Sequence, residues 1–168
     1  PAPASTLTPS STPFASISDA TNVITLDTTG VSDAVGNAGV GTTDSNNYAI
    51  DTVRPTATIV VADTSLIIGE TSLVTITFSE AVTGFSNADL TIASGTLSAV
   101  ATTDGGITWT ATFTPTASIS DASNVITLDT TGVSDTPGNA GVGTTDSNNY
   151  AVDTVRPTAT IVVADTSL

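Results

Sequence analysis

The sequence predicts an all-β chain built of tandem antiparallel β-sandwich domains. Three observations carry that prediction. The chain repeats itself at the scale of a whole domain, its apolar residues alternate with polar ones at period two, and no segment carries a helical stripe. Residues 15–66 read ASISDATNVITLDTTGVSDAVGNAGVGTTDSNNYAIDTVRPTATIVVADTSL, and residues 117–168 return them with four changes: Thr21/Ser123, Ala34/Thr136, Val35/Pro137 and Ile50/Val152. The offset of 102 residues is too long for a solenoid repeat or a propeller blade.

A period of this length matches whole immunoglobulin-like sandwiches strung in series. The motif Asp51-Thr-Val-Arg-Pro55 recurs at 153–157 and reads as the linker. The expected organisation is therefore one complete repeat at 51–154 including its linker. Residues 1–50 are expected to be the C-terminal part of a preceding repeat, with a divergent stretch at 1–14. Residues 155–168 are expected to form the first strand of a following one. A chain that starts at Pro1 without Met reads as excised from something longer.

Alternation places the strands of the complete repeat in order. Strand A is expected at about 56–63, with Ile59 and Val61 on one face, and strand B at about 72–79, with Val74, Ile76 and Phe78 inward. Strand C is expected at about 88–93 with Leu90 and Ile92 inward, and the next strand at about 97–103. Asp104-Gly105-Gly106 predicts a hairpin turn, because glycine accepts a positive φ without steric cost. Strand E follows at about 107–114, with Ile107, Trp109, Ala111 and Phe113 on one face. Strand F is expected at about 124–129 with Ile126 and Leu128 inward, and strand G at about 142–153. Trp109 could be a sugar-stacking platform, but its place inside an alternating strand favours the core.

Composition excludes several classes of function. Sixteen acids face two bases, both arginine, giving a net charge of −14. Such a chain is repelled by nucleic acid and by anionic membrane surfaces and attracts cations. No apolar run is long enough to insert into a membrane. With no cysteine there is neither a disulfide framework nor a thiolate site, and with no histidine there is no base for a catalytic triad. Glu70 and Glu80 are expected at opposite ends of strand B, so they cannot flank a glycosidic bond. The chain is not expected to be an enzyme.

Strand polarity gathers the acids at domain junctions. Strand B ends at the pole where strand A begins, which brings Glu80, the B–C loop with Asp89, the hairpin at Asp104, and the F–G loop with Asp135 and Asn139 to one end. The preceding domain delivers Asp51 there, and Asp153 is the corresponding acid of the next linker. Surface acids often only solubilise, and loop Asp and Asn residues often only form turns. Carboxylates packed a few ångströms apart nevertheless repel unless a cation lies between them. Calcium takes six to eight oxygens, including amide carbonyls, and needs neither His nor Cys. The candidate metal ligands are Asp51, Glu80, Asp89, Asp104, Asp135, Asn139 and Asp153, with calcium as the ion. No EF-hand is present: the segment starting at Asp146 opens like one but lacks the central Gly and the distal Glu.

The segments TFSEAVTGFSNADLTI (77–92), GGITWTATFTPTASISDASNVITLD (105–129), SDTPGNAGVGTTDSNNYAVD (134–153) and DTVRPT (51–56) resemble the bacterial Ig-like repeats of giant surface adhesins. These adhesins are typically secreted by type I systems and act in biofilm formation and attachment. The resemblance implies an extracellular rod on the bacterial cell surface, stiffened by calcium at its linkers. It singles out Asp51, Glu80, Asp135 and Asn139 as ligands, and neighbouring repeats of the same chain or of other copies as partners. The function it implies is that of a structural spacer. The alternative is a self-assembling extracellular filament joined by strand donation, because 1–50 lacks strands A to C and 155–168 is a lone apolar strand.

Overall fold

The computed structural model describes residues 10–164 and Ser167, so most of the divergent stretch at 1–14 and the last residues of the expected strand at 155–168 lie outside the described residues. The chain divides into two compact units, Pro1–Val53 and Arg54–Leu168.

The first unit holds two separate two-stranded antiparallel sheets. Strand β1 (Ser18–Asn22) pairs antiparallel with β4 (Tyr48–Asp51), and β2 (Thr25–Asp27) pairs with β3 (Thr42–Asp44). The Asn22 side-chain amide donates to the carbonyls of Asp19 and Tyr48 at 3.1 and 3.2 Å, which holds the bulge in β1. Its apolar residues find little cover: Ile24 is 43%, Leu26 57% and Val31 54% exposed.

The second unit is the complete sandwich. Its strands are β5 (Ala57–Val61), β6 (Ser65–Ile67), β7 (Ser72–Phe78), β8 (Val82–Thr83), β9 (Leu90–Ile92), β10 (Gly95–Leu97), β11 (Ala101–Thr102), β12 (Thr108–Pro115), β13 (Ser120–Asn124), β14 (Ile126–Asp129), β15 (Ser134–Asp135), β16 (Thr144–Asp146) and β17 (Tyr150–Asp153). One layer is the sheet β10-β12-β7-β5, with β11 also on β12. The rest form β16-β14-β9, β13-β17-β6 and the two-stranded β8-β15. All pairings are antiparallel except β6 with β17.

Period-two alternation does what it predicts in β5, β7 and β12. Ile59, Val61, Val74, Ile76, Phe78, Ala111 and Phe113 are buried, while Thr58, Thr77, Thr110 and Thr112 face water. Ile126 and Leu128 close the core from the other layer. Tyr150 packs edge-on against Phe113 at 5.0 Å and donates its hydroxyl to the Ala93 carbonyl at 2.6 Å. Burial pushes its phenol up to about 12.

Four expectations need correction. The strand expected at 97–103 is two strands, β10 and β11, interrupted where Asn87 holds the backbone of Ser98 and Val100 through its side-chain amide. Strand G is likewise β16 and β17, separated by Ser147-Asn148-Asn149. Ser147 there is held to Ile126 by its backbone and side chain, and Asn148 turns its amide onto Val61. Ile107 precedes β12 and is 39% exposed, and Trp109 packs against the core as expected but stays half-buried. Finally, the stretch between the expected strands E and F, where no strand was expected, carries β13.

Candidate metal site at one pole of the complete repeat

Antiparallel register decides which acids meet. Ala57 at the start of β5 lies opposite Phe78 at the end of β7. The chain therefore enters the sandwich beside Ser79 and Glu80. Ser79 clamps that point: its N–H donates to the Thr56 carbonyl at 2.8 Å, and its hydroxyl accepts the Thr56 N–H at 3.0 Å. Pro55, buried just before, fixes φ at the same place.

Two more connections reach this pole. The short pair β8–β15 sets Asp135 opposite Val82, two residues after Glu80. The hairpin at Asp104 docks through the Val82 N–H, which donates to the Gly106 carbonyl at 3.1 Å. Gly106 has a φ of 103°, and a Cβ there would fall 2.6 Å from the Val82 carbonyl oxygen, so only glycine fits. Glu80 and Asp135 consequently offer carboxylate oxygens within 4.8 Å of one another, Glu80 half-buried and Asp135 buried.

The loop after β15 is built around Asp135. One carboxylate oxygen accepts the N–H groups of Gly138 and Asn139 at 2.8 and 2.7 Å, and the other accepts the Asn139 side-chain amide at 2.8 Å. The Asp135 N–H in turn donates to the Asn139 carbonyl at 3.2 Å. Burial works to raise the Asp135 carboxyl, but the bonds from Asn139 and Gly138 outweigh it and hold it below its ordinary value. Asp135 is thus an anion at neutral pH with its charge fixed in place.

This loop is a property of its own sequence. In the first copy Asp33 accepts the Asn37 N–H at 2.9 Å and the Asn37 amide at 2.7 Å. Its carboxyl is also held low, foremost by the Asn37 side chain. There Asp33 also accepts the Val35 N–H at 3.0 Å. In the second copy Pro137 stands at that position and has no N–H, and the Gly138 N–H serves instead.

The other candidate residues have local roles or lie elsewhere. Asp104 accepts the N–H groups of Ile107 and Thr108 and the Thr102 hydroxyl, and its carboxyl is lowered to about 2, foremost by the Thr108 N–H. Asp89 closes a capping box with Ser86, accepting the Ser86 N–H at 2.8 Å at the start of the short 3-10 turn Asn87–Asp89. Neither is grouped with Glu80 and Asp135. Asp51 ends β4 of the first unit and accepts the Val53 N–H at 3.1 Å. Asp153 ends β17 and accepts the Val155 N–H at the same distance, so both linkers begin with one Asx turn. Glu70 and Glu80 flank the seven residues of β7, a span of about 23 Å that offers no paired-carboxylate cleft.

Sequence reasoning missed one contributor to this pole, Arg54. Its guanidinium Nη1 donates to the Ala140 carbonyl at 2.6 Å and ties the linker to the loop that Asp135 organises. The signal was available, since the two bases in the chain occupy the same linker position in each copy.

Among curated proteins and among solved structures nothing matches the chain. The bacterial Ig-like domain family matches it twice, over residues 3–50 and 51–152, so that the second match opens on Asp51 and takes in Glu80 and Asp135. With both copies matched and a sandwich fold in the complete one, the chain belongs to the bacterial Ig-like domain family.

Proposed function

We propose that the complete repeat is a spacer module of an extracellular bacterial surface adhesin, and that calcium stiffens the chain where the linker enters the sandwich. The observation that carries this reading is the approach of two carboxylates, Glu80 and Asp135, within 4.8 Å at the pole that receives the linker. Like charges this close favour a shared cation. The donors at hand are hard oxygens, which suit calcium and not a thiolate- or imidazole-seeking metal. The second family match begins at Asp51, and the ligand set of this proposal is Asp51, Glu80, Asp135 and the Asn139 carbonyl.

Several features favour a mechanical role over a catalytic one. The sandwich is rich in short hydrogen-bonded turns, its repeats are near-identical, and no histidine or cysteine is available. Duplication of one unit lengthens a rod without new chemistry. Among the described residues no helix is long and apolar enough to cross a membrane. The partners in this reading are neighbouring repeats.

Titration calorimetry tests the site. Calcium is expected to bind with a dissociation constant of about 10⁻⁴ to 10⁻³ M, as for extracellular modules. Glu80→Gln and Asp51→Asn are each expected to abolish the heat. Equal binding by these variants and the parent chain would remove the site from this pole.

A further inference from the structure

The sheet β10-β12-β7-β5, with β11 on β12, is the one sheet among the described residues whose strands hold no charged side chain. Each of the others carries at least one aspartate, as with Asp121 and Asp153 in β13 and β17, or Asp129 and Asp146 in β14 and β16. In a chain of net charge −14 this is a neutral face on an acidic body. Its inner side is the core, and register makes its outer side a field of threonines. Thr58, Thr77 and Thr108 lie in one row across β5, β7 and β12, and Val60, Thr75 and Thr110 lie in the next. Leu73 follows on the same side, and Val60 and Leu73 are 53 and 52% exposed. Elsewhere the fold uses its threonine hydroxyls: Thr127 donates to Asp146 at 2.6 Å and Thr131 to Asp129 at 2.8 Å. Those of Thr75, Thr77 and Thr110 bond nothing among the described residues.

We propose that this face binds the same face of a second copy of the chain, as an isologous pair. A hydroxyl both donates and accepts, so a field of hydroxyls is complementary to itself, and an acidic face is not. Val60, Leu73 and the threonine methyls add apolar area to the contact. The other sheets would instead bring the aspartates of two acidic chains together. Four strands about 4.8 Å apart, with about 3.3 Å per residue, offer about 400 Å² per copy. That is about half of what one partner buries in a standard interface, so the pair is transient and forms at high concentration. This contact lies along the side of the sandwich, is independent of the spacer reading and needs no calcium.

Sedimentation equilibrium of the full chain in chelator tests it. The expected result is a weight-average mass that rises with concentration from the 16.6 kDa of one chain toward two chains and stops there, because an isologous pair closes. Added salt is expected to strengthen the pair, since it screens the repulsion between the acidic bodies. Thr110→Glu and Leu73→Glu each set like charges against each other and return the mass to one chain. Both side chains are exposed, so the thermal transition is expected to be unchanged in both variants. The chain has no cysteine, so single cysteines report the face directly. A bismaleimide spanning the roughly 10 Å between packed sheets is expected to cross-link Thr110→Cys and to leave Ser123→Cys, on β13, as single chains. A one-chain mass at every concentration up to the millimolar range, in low and high salt, would overturn the proposal. So would pairing that persists in both glutamate variants, or equal cross-linking at the two cysteines, because another surface would then be responsible.

Discussion

Glu80 and Asp135 hold carboxylate oxygens within 4.8 Å of one another at the pole where the chain enters the complete sandwich. Glu80 follows directly on the clamp between Ser79 and Thr56, and Asp135 is locked by Gly138 and Asn139. The sign of a charge-removing mutation should therefore depend on the solvent. In chelator, Glu80→Gln removes repulsion and is expected to raise the melting temperature. In saturating calcium the same variant forgoes ligand binding, worth about 2.7 kcal/mol at one hundred times the dissociation constant, and is expected to melt lower than the parent. Melting curves of both proteins under both conditions check the crossover. A variant that shifts the same way in both would break the link between the pair and the ion.

Asp104 gives a pH signature with a different origin. The Thr108 N–H foremost and the Thr108 side chain next, then the Thr102 hydroxyl and the Ile107 N–H, lower its carboxyl from its usual value to about 2. A carboxyl lowered on folding stabilises the fold above its unfolded-state value and loses that contribution as pH falls through the folded-state value. The melting-temperature difference between the parent and Asp104→Asn is expected to be constant near neutrality and to shrink between about pH 4 and pH 2. Thermal melts across that range read it out, and a gap that persists to pH 2 would contradict the assignment.

The core ranks its aromatic residues. Phe113 is fully buried between the layers, while Trp109 is half-buried on the same strand face, its ring edge-on to Phe85 at 5.2 Å and its indole N–H donating to the Gly106 carbonyl. Phe113→Ala is expected to cost about 3–5 kcal/mol and Trp109→Ala about 2–3 kcal/mol. Denaturant unfolding of the two variants measures both, and the reverse order would mean that the inward face of β12 is misassigned.

Much of this architecture is legible in the sequence because strands advertise themselves by alternation. The inward residues of β5, β7 and β14 follow from period two alone. Phe85 does not, because it sits in an irregular stretch between β8 and the 3-10 turn, yet it is buried and touches both Phe78 and Trp109 edge-on. Strand β13 is also invisible to patterning, since four of its five residues are exposed and only Asn124 turns inward. The interruption of strand G at Asn148 depends on a side-chain bond to Val61, eighty-seven residues away along the chain, which no local pattern encodes. At the pole, Glu80, Asp135 and Asn139 were expected side by side as ligands of one ion, whereas the hydrogen bonds by which Asn139 holds the Asp135 carboxylate were not expected. Asp89 and Asp104 share the pole, but turn chemistry draws their oxygens into local bonds.

The central claim is that calcium stiffens the chain at the linker. It is tested most directly by small-angle X-ray scattering of a chain carrying two complete repeats joined by the Asp51–Pro55 sequence, in millimolar calcium and in chelator. The expected result is a longer maximum dimension with calcium and a more compact average in chelator. Asp51→Ala should behave like the chelated parent under both conditions while each sandwich stays folded. Superimposable profiles with and without calcium, together with an unchanged melting temperature, would contradict the account and leave the acids of this pole as solubilising surface.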